Sequence, residues 1–147
     1  MAQGLLQQRL RQLSHRLNSP VEVTSAGVFA IEGMSPSKET LKLLQNEGID
    51  MSSHMAKPLS DEMIRKAELI FVMEQLHLEE ILRRVPEAKG KAFLLKNFGH
   101  SDPAEVGDPN IPDPIGKPLE VYEVCFATIR ESIERVAHSL ITSGKGP

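Results

Sequence analysis

The 147-residue sequence predicts an α/β fold with a parallel sheet, and three observations predict it. Two apolar runs, "AELIFVME" (67–74) and "KAFLLKNF" (91–98), read as strands buried on both faces, the pattern of a parallel sheet. A third segment, "VEVTSAG" (21–27), alternates apolar and polar residues as a half-buried strand does. Stretches with helical apolar spacing stand before, between and after these segments, and such alternation layers helices on a sheet.

Taken in order, residues 1–18 read as a helix. Leu5, Leu6, Leu10, Leu13 and Leu17 fall at helical spacing, with Gln and Arg between them, and Asn18-Ser19-Pro20 closes the segment. The strand 21–27 follows and stops at Gly27. "GMSPSKETLKLLQNEGID" (33–50) is a loop and then a helix: Ser37 with Thr40 suits its start, Leu41 and Leu44 give its apolar face, and Gly48 suits its end. After the strand 67–74, "LHLEEILRRVP" (76–86) is a short helix closed by Pro86, its mixed charges forming a solvated face. The strand 91–98 leads into a Gly/Pro/Asp loop over 99–118. The last helix runs from about Leu119 to about Leu140, with Tyr122, Cys125, Phe126, Ile129, Ile133, Val136 and Leu140 on its apolar side.

Composition narrows the function classes. A net charge of -3 gives no basic footprint for nucleic acid. No apolar run approaches the ~20 residues needed to span a bilayer, and the first residues lack the order of a signal peptide. Cys125 is the only cysteine, so there is neither an internal disulfide nor a multi-cysteine metal site. His15, His77, His100 and His138 are scattered, with no pair at metal-ligand spacing. The expectation is a single cytoplasmic domain over 1–147 with no metal or cofactor, no nucleic-acid partner and no membrane association.

In open α/β sheets, ligands bind outside the carboxyl ends of the strands, so the loops after Thr24, Met73 and Phe98 face any site. The last of these loops contains "DPNIPDPIGKP" (108–118), where Asp113 stands between two prolines and its carboxylate is held on a stiff backbone. Asp before Pro is common in turns, and Asp102 and Asp108 also precede proline, so the dipeptide alone decides nothing. Cys125 and Arg130 form a C-x4-R spacing inside a helical pattern without glycine, which reads as an inert, buried cysteine. At the front, the chain opens directly into a helix. A doubly wound fold ordinarily places a strand and a turn before that helix, and its N-terminus is where phosphate is held.

With these residues in place, the chain resembles the low-molecular-weight protein tyrosine phosphatase family, which includes protein arginine phosphatases and related arsenate reductases. The matching stretches are "MAQGLLQQRL" (1–10), "VTSAGV" (23–28), "GMSPSKETLKLLQNEGIDMSSHMAKPLS" (33–60), "AELIFVME" (67–74) and "IPDPIGKPLEVYE" (111–123), in the family's order along almost the whole chain. The resemblance implies a three-layer parallel sheet with helices on both faces. It also implies hydrolysis of phosphotyrosine or phosphoarginine on a protein substrate through a phosphocysteine, without a cofactor.

By the same resemblance, Asp113 is the general acid that protonates the leaving group, Ser25 and His54 belong to a hydrogen-bond network that props the phosphate loop, and Ile115 forms part of the substrate wall. Many family members carry an aromatic residue where Ile115 stands, which leaves room for phosphoarginine. Gln3 stands where glutamate is expected. The family's first strand and C-x5-R phosphate loop, with nucleophile and phosphate-clamping arginine, are not in these 147 residues. The chain is therefore expected to be an N-terminally truncated domain, inactive as written, with exposed strand edges that favour self-association. A non-catalytic binding or regulatory module is the alternative reading. An arsenate reductase ranks last, because residues 75–98 contain no further redox cysteine.

Overall fold

A computed structural model of the chain describes residues 1–142. Its elements are α1 (Ala2–Gln12), α2 (Lys38–Asn46), α3 (Asp61–Lys66), β1 (Ile70–Val72), α4 (Gln75–Arg84), β2 (Ala92–Leu94) and α5 (Leu119–Thr142). β1 and β2 pair in parallel, with Ile70 opposite Ala92, Phe71 opposite Phe93 and Val72 opposite Leu94. Hydrogen bonds from Ile70 N–H to Lys91 O and from Leu95 N–H to Val72 O extend the pairing by a residue at each end.

Successive residues along the strands point to opposite faces, and each face has its own core. On one side Phe71, Met73 and Leu95 pack with Leu5, Leu6 and Leu10 of α1, Leu44 of α2, and Phe126, Ile129 and Ile133 of α5. On the other, Ile70, Val72, Ala92 and Leu94 pack with Ile64 of α3 and Ile81, Val85 and Ala88 in and after α4. Helices therefore cover both faces of the sheet, giving the three layers expected. Phe71 meets Phe98 edge-on with ring centroids 4.9 Å apart, which ties the end of the second apolar run to the first.

Capping explains several element boundaries. Ser37 Oγ accepts from Thr40 N–H and starts α2, as the sequence suggests. Beyond Glu47, Gly48 takes a positive φ of 76°, which turns the chain so that Ile49 N–H reaches Leu44 O. In the same way Ser60 Oγ accepts from Met63 N–H at the start of α3. That helix has six residues, too few to display a periodicity, and the sequence reading passed over it.

Two expectations need correction. The first helix ends at Gln12 rather than at residue 18, and a single 3-10 turn, Ser14–Arg16, follows. The leucine pattern persists across the break because Leu13 and Leu17 still pack against the core. The segment 21–27 forms no strand: its only bridge is Gly27 with Pro58. It nevertheless alternates half-buried Val21, Val23 and Ser25 with exposed Glu22, Thr24 and Ala26. The alternation reports which side chains face the core. A strand also needs a paired backbone, and here the Val23 carbonyl accepts a hydrogen bond from the Gln7 side chain instead.

Candidate active site

The carboxyl end of β1, at Met73 and Glu74, opens onto a cleft of about 320 Å³. Its floor includes Met1 and Ala2 at the start of α1, and Ile129, Tyr122 and Cys125 from α5. Ser37 and Thr40 contribute from α2, Glu74 and His77 from the start of α4, and Asp113 and Ile115 from the loop before α5.

A series of hydrogen bonds sets the path of that loop. Lys96 Nζ donates to Asp108 O at 2.7 Å, and Asp108 Oδ1 accepts from Asn110 N–H at 3.0 Å and Nδ2 at 2.9 Å. Asn110 Oδ1 in turn accepts from Gln75 N–H at 2.7 Å, and Ile111 N–H donates to Met73 O at 2.8 Å. The buried Ile111 thus continues alongside the end of β1 and delivers Pro112-Asp113-Pro114 to the cleft wall. Asp113 Oδ1 accepts from Ile115 N–H at 3.0 Å, which fixes the carboxylate relative to its own turn. Gly116, at φ 77°, then turns the chain toward α5.

The three Asp-Pro aspartates now differ. Asp102 Oδ1 caps a 3-10 turn by accepting from Ala104 N–H. Asp108 is held below the usual carboxylate range by its hydrogen bonds from the Asn110 backbone and side chain, with Lys96 adding to the effect. Neither lines the cleft, whereas Asp113 does. Ile115 sits at the lip, 65% exposed.

Ser25 and His54 are not among these lining residues. Ser25 Oγ donates to Gln3 Oε1 of α1. The half-buried His54 donates its backbone N–H to Met51 O at 3.0 Å, and the structure records no hydrogen bond between it and Ser25. The segments that carry the two residues are nonetheless joined: Gly27 N–H donates to Lys57 O, and Leu59 N–H donates to Gly27 O.

Cys125 is less buried than the core cysteine expected. It is half-buried, lines the cleft, and lies 3.9 Å from Pro112 O. Burial pushes its thiol up, and the charge of Asp113 adds to this. The sequence pattern placed Cys125 on the apolar side of α5 but could not show that the side faces a cleft at that level. Glu74 and His77 were likewise missed as site residues. His77 reaches back so that its Nδ1 accepts from Glu74 N–H at 3.3 Å, an N-terminal capping contact. Among the described residues no group of three or more His, Cys, Asp and Glu side chains is arranged to hold a metal ion.

The sequence profile described as low molecular weight phosphotyrosine protein phosphatase matches residues 1–145. The chain belongs to that phosphatase family. Within it, the chain is 38% identical over 122 residues to a protein-arginine-phosphatase of Geobacillus stearothermophilus, covering 83% of this chain and 78% of that protein. It is 38% identical over 114 residues to the low molecular weight protein-tyrosine-phosphatase Ptp of Acinetobacter johnsonii, covering 78% of this chain and 69% of that one. The solved structure of the arginine phosphatase YwlE from Geobacillus stearothermophilus superposes with a TM-score of 0.80 at 36% identity, covering 97% of this chain and 84% of that one. A low molecular weight protein tyrosine phosphatase from T. tengcongensis does so with a TM-score of 0.80 at 33% identity, covering 94% and 88%. The low-molecular-weight phosphatase fold is thereby the fold of this chain. No helix among the described residues is long and apolar enough to cross a membrane.

Proposed function

We propose that this chain carries the general acid of a cysteine-dependent phosphoprotein phosphatase, with phosphoarginine or phosphotyrosine side chains as substrates. The observation that carries this reading is the placement of Asp113, alone of the three Asp-Pro aspartates, on the wall of the cleft at the end of β1. Phosphoryl transfer to a cysteine thiolate breaks the P–N or P–O bond of the substrate and leaves electrons on the departing atom. A carboxylic acid on the opposite side of the phosphorus donates its proton to that atom. Asp113 is assigned this step, Ile115 flanks the departing side chain at the lip, and Ser25 and His54 keep the support role.

The nucleophile is assigned elsewhere than Cys125. A thiolate suited to attack is stabilised by a helix N-terminus or a nearby cation. Cys125 lies within α5, away from a helix N-terminus, and burial, with the charge of Asp113 adding to it, raises its thiol pKa against the opposing effect of the Met1 ammonium. The chain as written is therefore expected to show no turnover of p-nitrophenyl phosphate above background. Placing a C-x5-R phosphate loop ahead of α1 is expected to create turnover that survives Cys125→Ser. Turnover by the unaltered chain that disappears in Cys125→Ser would overturn the assignment.

A further inference from the structure

The wall that carries Asp113 has few ties of its own. Pro112 and Pro114 have no N–H to donate, and the Asp113 carboxylate bonds within its own turn, to Ile115 N–H. Among the described residues, the one hydrogen bond from residues 112–114 to another element is the weak contact of the Cys125 thiol with Pro112 O, at 3.9 Å. The anchor lies just upstream, at Asn110. Its Oδ1 accepts from Gln75 N–H at 2.7 Å, while its Nδ2 donates to Asp108 Oδ1 at 2.9 Å. Gln75 is the first residue of α4, and the N–H groups of a helix's first turn have no acceptor within the helix. Asn110, 35 residues away in sequence, supplies one from outside. Both ends of its amide are used: an aspartate would lack the donor, and an apolar residue would lack both. Ile111, next in the chain, is buried and donates to Met73 O. The prolines on either side of Asp113 then pass this docking along a stiff backbone to the carboxylate.

We infer that Asn110 is a positioning residue for the acid step: by capping the first amide of α4 it docks the wall and sets where Asp113 stands in the cleft. The inference rests on the reading of Asp113 as the general acid. Asn110 touches no reacting group and acts through Gln75 N–H and Asp108. A general acid must come within hydrogen-bond reach of the atom it protonates. Lifting the wall therefore falls on protonation of the departing atom rather than on the attack. It also uncovers Cys125, the only cysteine, which lies against Pro112 O.

The chain as it is supplies the first test, because its single thiol lines the cleft. Cys125 is alkylated with iodoacetamide at one pH under native conditions, and the rate is followed by mass spectrometry. Asn110→Ala is expected to raise that rate about two- to tenfold, the scale of one hydrogen bond. Gln75→Pro removes the donor instead of the acceptor. Proline suits the first position of a helix, and Glu74 before it is already extended, at φ -130° and ψ 153°. This variant is expected to give a similar rise, and the double variant no further one. Ser60→Ala removes the cap of α3, a helix packed in the core on the other face of the sheet, and should leave the rate unchanged. It separates lifting of the wall from loss of overall stability. An unchanged rate in Asn110→Ala, an equal rise in Ser60→Ala, or effects that add in the double variant would overturn the inference. In a protein carrying a C-x5-R loop, Asn110→Ala is expected to slow substrates with poor leaving groups more than p-nitrophenyl phosphate. Equal slowing of both would show that Asn110 serves stability alone. Absence of turnover in that protein would count against the phosphatase reading instead, and the alkylation rates would still decide the role of Asn110.

Discussion

Asp102, Asp108 and Asp113 share a following proline and differ in what their carboxylates hold. Asp102 and Asp108 satisfy nearby backbone and side-chain N–H groups, and Asp108 is kept ionised by them. In a protein supplied with the phosphate loop, Asp113→Asn is expected to slow substrates with poor leaving groups by ~10²–10⁴-fold, the usual scale of general acid catalysis. The loss should be smaller for p-nitrophenyl phosphate, whose leaving group needs little protonation. Asp108→Asn and Asp102→Asn should change steady-state rates far less, and a larger defect in Asp108→Asn would show that the acid is misassigned. Cys125 gives a second test at this scale. Its folded-state pKa is raised, so the folded protein holds the thiol proton more tightly than the unfolded chain. Its contribution to stability is complete below the unfolded thiol pKa of about 8.5 and declines as pH rises past it. Urea midpoints measured from pH 7 to 10 should fall, and Cys125→Ser should fall less. Of the cleft lining, Asp113 and Ile115 were singled out by the resemblance to the phosphatase family, since the Asp-Pro punctuation alone did not separate Asp113 from Asp102 and Asp108. Glu74 and His77 were not, because their place at the cleft depends on a strand ending beside residue 111, a contact between chain segments far apart.

Among the elements, α5 was the most legible, since a long stripe of Tyr122, Phe126, Ile129, Ile133 and Val136 survives any error at its ends. The strands 67–74 and 91–98 were placed correctly but overdrawn: the paired cores are Ile70–Val72 and Ala92–Leu94, because apolar composition extends beyond the ladder. The segment 21–27 shows the reverse limit, with burial alternating correctly and no strand formed. α5 also does more than cover the sheet. Arg135 donates to Phe98 O at 2.9 Å and to Lys96 O and Ser132 Oγ, fastening the exit of β2 to the helix. Lys96 in turn holds Asp108 O, so this fastening leads into the acid-bearing loop. Arg135→Leu keeps apolar bulk while removing the donors, and is expected to cost about 1–3 kcal/mol in chemical denaturation. Ser37→Ala removes the cap of α2 and should cost about 0.5–2 kcal/mol. A neutral result for Arg135→Leu would mean that water replaces the fastening without loss.

For the whole molecule, one sheet divides two cores, and the site lies where β1 ends. Most large apolar side chains are covered, but Phe29, Ile31, Met34 and Met55 are 50–74% exposed on segments joined by the Gly33–Ala56 and Ala56–Met34 hydrogen bonds. Exposed apolar side chains grouped in this way favour association. Sedimentation should show a mass that rises with concentration, and the double variant Phe29→Ser, Met55→Ser should lower it. A monomer at every concentration would count against this. The contact between Ile111 N–H and Met73 O has one more use. That amide is buried and bonded to the strand end, so its exchange with deuterated solvent requires the acid-bearing loop to lift off the sheet. Its exchange rate, read against that of an amide inside α5, separates local opening of the wall from unfolding of the whole chain. The Ile111 amide is thus a built-in clock for the site, readable without a substrate.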